Sequence, residues 1–336
     1  MKSKTFGIIG GGSWGLGFGI HLSKRYNVKI YEINSERVSE VQKERTLKNF
    51  LPGVYIPSTI VYSDDLPLVL NEIDYMVLAI PTQFLRRGLS KIVSDRGRNF
   101  YAGVKAVVNL AKGIEVDSLL LPTQIISEFI PSSVIALSGP SISLEVVNGI
   151  PTAVVLAGEN ELLVEELQKL ISFDNVRVYA SSDTIGVELG GALKNIIAIA
   201  SGIIDGMGLG ANTKGALLTR GLAEIVRLGM KMGGERETFY GLSGIGDMIT
   251  TATSIKSRNY TVGFNLGKGK SLKEILKKMV MVAEGVETTR AVHKLSLKNN
   301  IEMPIIDSMY KILFENSPVK DEITNLLSRP LKREVL

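Results

Sequence analysis

An apolar run, Thr5-Phe6-Gly7-Ile8-Ile9, gives way to Gly10-Gly11-Gly12-Ser13-Trp14-Gly15, after which apolar positions take up helical spacing. Residues 28–32, 60–62, 74–81, 106–111, 134–137, 152–156 and 176–179 form further short runs rich in aliphatic and aromatic side chains, as strands are. The 74–81 run is apolar nearly throughout and ends at Pro81, which suits a parallel strand buried on both faces. Between these runs, 35–48 and 161–171 carry helical periodicity, with Asn160 placed to cap the second. Pro52-Gly53 and Pro57 mark a loop, and Thr82-Gln83-Phe84 is expected in the loop after the 74–81 strand. The pattern changes near Ser181. Beyond Asp183 no strand is evident, while 185–204, 213–232, 272–281, 287–299 and 305–315 all have helical spacing, with Asp183 and Thr184 able to cap the first.

The alternation of strand and helix predicts an α/β fold. Its N-terminal part, 1–180, is expected to be a doubly wound, Rossmann-type, mostly parallel sheet, and 181–336 an all-helical domain carrying substrate and catalytic groups. The glycine turn gives the first part its chemistry. In a strand-turn-helix, Gly10 allows the tight turn, Gly12 removes a side chain where a pyrophosphate approaches, and Gly15 lets the helix lie on the strand. The helix start offers N–H groups and a positive dipole end to phosphates. Glu32, at the end of the second strand and about twenty residues past the glycine turn, is placed to accept from the adenosine ribose 2′-hydroxyl and to repel a 2′-phosphate. The expected cofactor is therefore NAD, with NADP allowed. The other reading of Glu32 is a solvated strand end.

Composition narrows the classes. With 336 residues, 45% hydrophobic and 22% charged, the chain has enough apolar mass for two cores. No run approaches the roughly 18 apolar residues of a membrane span, and a strand begins too close to Met1 to leave room for a signal peptide. A cytoplasmic protein is expected. The absence of cysteine excludes disulfides, thiolate nucleophiles and cysteine-bound zinc. The two histidines, His21 and His293, lie in helical stretches outside any motif, so proton chemistry falls to Lys, Asp or Glu. A net charge of +5 without a basic, aromatic-interleaved run argues against nucleic acid and suits a small anion. The small-residue helices of the second half suit either a core or the face of a homodimer.

Three polar groups then stand out. Lys112 sits at the tip of the 106–111 strand. Lys194 and Asn195 interrupt an apolar helix in Gly190-Gly191-Ala192-Leu193-Lys194-Asn195. Burial there disfavours the ammonium and suits a general base, whereas a lysine that snorkels to the surface would not be one. Gly244-Ile245-Gly246-Asp247, with Thr251 and Ser257-Arg258-Asn259, offers a phosphate-binding fork in Arg258 and neutral donors beside it. Asp247 is placed to orient Lys194 or to meet a substrate hydroxyl. The implied substrate is a small phosphorylated alcohol; a capped helix with a surface arginine is the plainer reading of the last stretch.

These stretches, with Ala111-Lys112-Gly113-Ile114-Glu115, Ser138-Gly139-Pro140-Ser141, Gly210-Ala211-Asn212, Thr219-Arg220-Gly221-Leu222-Ala223-Glu224 and Val282-Ala283-Glu284-Gly285, resemble the NAD(P)-dependent glycerol-3-phosphate dehydrogenases of bacteria, in family order and over nearly the whole chain. The resemblance implies interconversion of sn-glycerol 3-phosphate and dihydroxyacetone phosphate, supplying glycerophospholipid synthesis. It implies Lys194 as proton acceptor and Lys112 against substrate and cofactor. It implies Gly139, Ser141, Asn195, Asp247, Ser257, Arg258 and Asn259 on the substrate side, and Ser13, Trp14, Ser143, Arg258, Val282 and Glu284 on the cofactor side. Two departures stand out: Ile33 follows Glu32 where bacterial members often carry Arg or His, and Gln83 replaces a usual histidine. The rivals are a 3-hydroxy-acid dehydrogenase of similar build and a non-catalytic dinucleotide sensor. A UDP-glucose dehydrogenase is excluded by the missing cysteine.

Overall fold

The computed structural model describes residues 4–97, 100–331 and 333–334. Its strands are β1 (Thr5–Ile9), β2 (Asn27–Tyr31), β3 (Val61–Ser63), β4 (Tyr75–Leu78), β5 (Ala106–Asn109), β6 (Ser133–Ser138), β7 (Thr152–Ala157) and β8 (Val176–Ser181). The helices among them are α1 (Ser13–Ser23), α2 (Ser35–Glu44), α3 (Leu66–Leu70), α4 (Thr82–Arg96), α5 (Pro122–Ser127), α6 (Ser143–Val147) and α7 (Glu161–Ile171). Then come α8 (Thr184–Gly206), α9 (Ala211–Lys231), α10 (Arg236–Phe239), a π-helical turn (Leu242–Gly246), α11 (Asp247–Thr253), α12 (Arg258–Gly267) and α13 (Leu272–Lys278). The described helices end with α14 (Glu284–Asn299), α15 (Pro304–Phe314) and α16 (Val319–Leu327). Two compact units emerge: one holds the chain up to Lys112 with Leu121–Thr184, the other Gly113–Leu120 with everything from Ile185.

The first unit is built on one sheet in the order β3-β2-β1-β4-β5-β6-β7-β8. Strand order reverses between β1 and β4, the switch point at whose C-terminal edge doubly wound sheets bind ligands. All pairings are parallel except β6 with β7, which is antiparallel. The buried strand positions Phe6, Ile8, Val28, Ile30, Tyr75, Val77 and Val108 form one core with Leu16 and Leu22 of α1 and Leu167 and Ile171 of α7. Asn160 caps α7 as its position suggested, its side chain accepting from the Leu163 N–H at 3.2 Å.

Thr82, Gln83 and Phe84 are not in a loop. They form the first turn of α4, with Pro81 at the N-cap and φ already at −56°. The proline that stops β4 also starts the helix, because its fixed φ suits a helix entrance and its missing N–H is not needed there. Buried Leu85, Leu89 and Ile92 supply the inward face. His21 is a packing residue: it is buried, with Nε2 2.9 Å from the Ile171 carbonyl and its ring stacked on Phe173 at 4.1 Å.

The second unit has no strand among its described residues. Its axis is α8, whose small residues let other helices touch it backbone to backbone. A Cβ on Gly202 would lie 2.1 Å from the Tyr260 carbonyl oxygen, and one on Gly263 would lie 1.8 Å from that of Ile199. By length and composition α8 is apolar enough to cross a membrane, contrary to the sequence expectation. Its most apolar window is nevertheless wholly buried in the protein, which makes it a core helix. The small residues of α8 therefore serve packing. His293 stacks on Tyr310 at 3.9 Å and pairs with Asp307 at 3.1 Å.

Candidate functional site

The glycine turn follows β1 at the switch point. Gly10 has φ +114°, a conformation open to glycine, and a Cβ there would sit 2.6 Å from the Ala79 carbonyl oxygen. Gly15 packs the first turn of α1 onto the turn itself: its Cβ would lie 2.0 Å from the Gly10 carbonyl oxygen. Gly12 differs. A Cβ there would meet nothing nearer than the Phe50 ring at 3.9 Å, so the space in front of α1 is open. No side chain caps α1. Ser13 donates its hydroxyl to the Phe50 carbonyl at 2.7 Å, and the buried indole N–H of Trp14 has no partner among the described residues.

Glu32 follows β2 and is no solvated strand end. It is 3% exposed and packs under the turn, where a Cβ on Gly11 would come within 2.9 Å of its own Cβ. Its Oε1 accepts from the Asn34 N–H at 3.0 Å and from Arg37 Nη1 at 3.3 Å. The Tyr62 hydroxyl donates to the Gly11 carbonyl at 2.8 Å; burial first, and the Glu32 charge second, keep that phenol protonated well beyond its usual range.

Farther along the same C-terminal edge, β5 and β6 bring Lys112, Gly139 and Ser141 together. Lys112 Nζ donates to the Gly139 carbonyl at 2.9 Å and lies 3.4 Å from Ser141 Oγ. Gly139 has φ +118° and turns the chain so that its carbonyl also accepts from Ser141 Oγ at 2.9 Å. Buried Asn109 braces the approach, bonding Ala111 through both ends of its amide at 3.0 Å. Ser143, at the start of α6, packs against α1, where a Cβ on Gly17 would be 3.2 Å from its own.

In the second unit the constellation forms where α8 meets the π-helical turn. Gly190 lets them approach: a Cβ there would be 2.7 Å from the Ser243 carbonyl oxygen. One helical turn on, Lys194 lies on the same face of α8. Asp247 and Thr251, four apart on α11, meet it. Lys194 Nζ donates to Asp247 Oδ1 at 3.1 Å and to Thr251 Oγ1 at 2.6 Å, and the Thr251 hydroxyl lies 3.2 Å from Asp247 Oδ1. Lys194 is 7% exposed and Asp247 2%. The lysine therefore does not snorkel. Burial alone favours a neutral amine, but a carboxylate in contact favours the ammonium.

Asn195, the next residue, belongs to a second network. Asn259 Nδ2 donates to Asn195 Oδ1 at 2.8 Å, and Asn259 Oδ1 accepts from the Gly285 N–H at 3.0 Å. Arg258 opens α12 beside it, exposed, with Nη1 donating to the Val282 carbonyl at 2.9 Å. Ser257 Oγ accepts from the Tyr260 N–H at 3.2 Å, so it caps α12. Glu284 is the first residue of α14, directly after the Val282-Ala283 pair. The second unit thus gathers Lys194, Asp247 and Thr251 in one cluster, and Asn195, Asn259, Arg258 and Val282 in a linked one.

Two family models match. NAD-dependent glycerol-3-phosphate dehydrogenase N-terminus covers residues 5–164 and its C-terminus counterpart covers 183–324. The chain is similar to the glycerol-3-phosphate dehydrogenase [NAD(P)+] of Carboxydothermus hydrogenoformans, 43% identical over 100% of this chain and 99% of that one. The chain belongs to the NAD(P)-dependent glycerol-3-phosphate dehydrogenase family. A glycerol-3-phosphate dehydrogenase [NAD(P)+] from a Thermoanaerobacter species is also 43% identical, over 98% of each chain. The crystal structure of glycerol-3-phosphate dehydrogenase from Coxiella burnetii superposes with a TM-score of 0.92 at 33% identity, covering 98% of this chain and 99% of that one.

The residues of this dehydrogenase fit a dinucleotide. An open cradle at Gly12 lies before an uncapped eleven-residue helix, at the switch point of the sheet. Three residues beside this cradle were not singled out in the sequence. Phe50, Tyr62 and Arg37 reach it from a loop, an edge strand and a surface helix, and none stands in a motif. Asn109 was likewise hidden within an apolar run.

Proposed function

We propose that Lys194 is the proton-transfer residue of this NAD(P)-dependent glycerol-3-phosphate dehydrogenase, which interconverts sn-glycerol 3-phosphate and dihydroxyacetone phosphate. The observation that carries the proposal is the buried ammonium held by Asp247 and Thr251. When bound, the nicotinamide takes up or returns the C2 hydride. In the reductive direction Lys194 delivers a proton to the C2 oxygen as the alcohol forms; in the oxidative direction it removes that proton. Asp247 keeps the lysine charged before the reductive step, and Thr251 fixes its rotamer. Exclusion of water strengthens the lysine's pull on the developing alkoxide.

Arg258, with Asn259 and Ser257 beside it, holds the substrate phosphate, and Gly139 and Ser141 complete the substrate side. Lys112 supplies positive charge for substrate and cofactor. Gly10, Gly12, Ser13, Trp14, Gly15, Glu32, Ser143, Val282 and Glu284 serve the dinucleotide. The reading is supported by the guanidinium of Arg258, fixed at one nitrogen by the Val282 carbonyl and partly desolvated by its surroundings. The enzyme's role is to supply glycerol 3-phosphate for glycerophospholipid synthesis. A cytoplasmic setting fits, because both reactants are charged metabolites that do not cross a bilayer unaided. Initial rates of dihydroxyacetone phosphate reduction, with NADH and with NADPH, test the proposal. Turnover of 3-hydroxy acids in preference to the triose phosphate, or dinucleotide binding without turnover, would refute it.

A further inference from the structure

Three groups meet beside the glycine turn: a buried carboxylate, a guanidinium and an aromatic ring. Glu32 uses Oε1 for the Asn34 N–H and for Arg37 Nη1. Oε2 has no hydrogen-bond partner among the described residues, so it remains available to a ribose hydroxyl. Arg37, on the first turns of α2, lies over the Phe50 ring, its guanidinium carbon 4.4 Å from the centroid. Its side chain is 32% exposed, and the bond to Glu32 is the only side-chain hydrogen bond it makes among the described residues. Among the described residues the other guanidinium N–H groups have no acceptor.

We propose that Arg37 is a specificity-determining residue that receives the 2′-phosphate of NADPH, so that Glu32 and Arg37 together admit both dinucleotides. The inference rests on the dinucleotide reading of the glycine turn. An unpaired carboxylate at this position would repel a 2′-phosphate. Here the ion pair cancels that charge at 3.3 Å, while most of the guanidinium fork stays free for a phosphate, the geometry it matches best. The fork is also fixed in place. Phe50 supports its face, and the Phe50 carbonyl accepts the hydroxyl of Ser13, the first residue of α1. The platform under Arg37 is therefore tied to the helix end that takes the pyrophosphate. Ile33, 71% exposed, supplies no donor at the neighbouring position, which leaves the task to Arg37.

Two fragments separate the contacts without turnover: 5′-AMP and 2′,5′-ADP, titrated calorimetrically into wild type, Arg37→Gln and the Glu32→Gln/Arg37→Gln double variant. In Arg37→Gln, 2′,5′-ADP affinity should fall by roughly tenfold or more, with 5′-AMP changed by less than about threefold. The double variant should stay weak for 2′,5′-ADP, because removing the carboxylate does not replace the lost donors. In steady-state kinetics kcat/KM for NADPH should fall and that for NADH should hold. Equal losses for both fragments would make Arg37 merely structural, and recovery of 2′,5′-ADP binding in the double variant would reduce it to a counter-charge; either overturns the inference. If wild type binds neither fragment nor either dinucleotide, the dinucleotide reading itself falls.

Discussion

Lys194 Nζ stands 3.1 Å from Asp247 Oδ1, and both side chains are buried. The pair spans two helices and acts as a unit, so removing either partner leaves the other charge uncompensated. Lys194→Ala should lower kcat by roughly two to four orders of magnitude, the range for loss of a positioned general acid or base. A turnover near wild type would refute the assignment. Asp247→Asn keeps the shape and removes the charge that favours the ammonium. Its rate in the reductive direction should fall, and the alkaline limb of its pH-rate profile should move to lower pH, because the proton is then held less tightly. An unmoved limb with a lowered rate would leave Asp247 only a packing role.

The architecture was legible where a requirement is local. Gly10 and Gly15 stand out because a left-handed turn and a helix pressed against it admit no side chain, and glycine at those places is visible in the chain itself. The Lys194–Asp247 contact was legible only as a pair of candidates. The spacings Gly190/Lys194 and Asp247/Thr251 each define a helix face, but the rotation of one helix against the other depends on the close approach at Gly190 and on the π-helical turn. The antiparallel direction of β7 was not legible, since apolar patterning carries no sense of direction. Pro81 marks the end of a strand in the sequence, and its second part, as the start of α4, shows only in the structure. Arg37 carries no motif in the sequence: its bond to Glu32 is local, but the Phe50 ring under it comes from a separate loop through the tertiary fold.

The glycine turn makes opposite predictions for neighbouring glycines. Gly15→Ala places a methyl 2.0 Å from the Gly10 carbonyl oxygen, which backbone cannot yield to without lifting α1 off β1. Its melting temperature should drop and NADH binding should be lost with it. Gly12→Ala meets only the Phe50 ring at 3.9 Å. It should melt close to wild type while binding NADH roughly tenfold or more weakly, because the methyl occupies space the pyrophosphate needs. Thermal melts alongside NADH titrations check both. A Gly12→Ala variant with normal NADH affinity would contradict the cradle.

Arg258 should act on binding more than on chemistry. Its fork is anchored at Nη1 to the Val282 carbonyl. Arg258→Ala should raise KM for dihydroxyacetone phosphate by about tenfold or more, with a smaller change in kcat, as for loss of ground-state and transition-state binding alike. Arg258→Lys keeps the charge without the planar fork and should fall between the two. A substrate KM unchanged in Arg258→Ala would remove the residue from the phosphate site.

Glu224 makes the fold pH-sensitive. It projects from α9 to the start of α15, where its two oxygens accept from the Ile305 N–H at 2.8 Å and the Ile306 N–H at 3.2 Å. No side chain of α15's own caps that end, so Glu224 caps it from another helix. Burial pushes the carboxyl up from 4.5 to about 7, the two N–H groups pulling the other way. Because the folded value lies above the unfolded one, the unfolded chain releases this proton first as pH rises. The contribution is full below pH 4.5, falls between 4.5 and 7, and is flat above, with an amplitude on the order of 3 kcal/mol. Glu224→Gln removes the titration while keeping one acceptor oxygen. Melting temperatures of the two proteins, measured from pH 4.5 to 8, should show wild type losing ground to Glu224→Gln up to about pH 7 and running parallel to it beyond. Parallel curves throughout would mean that the helix-end N–H groups hold this carboxylate at an ordinary value despite its burial.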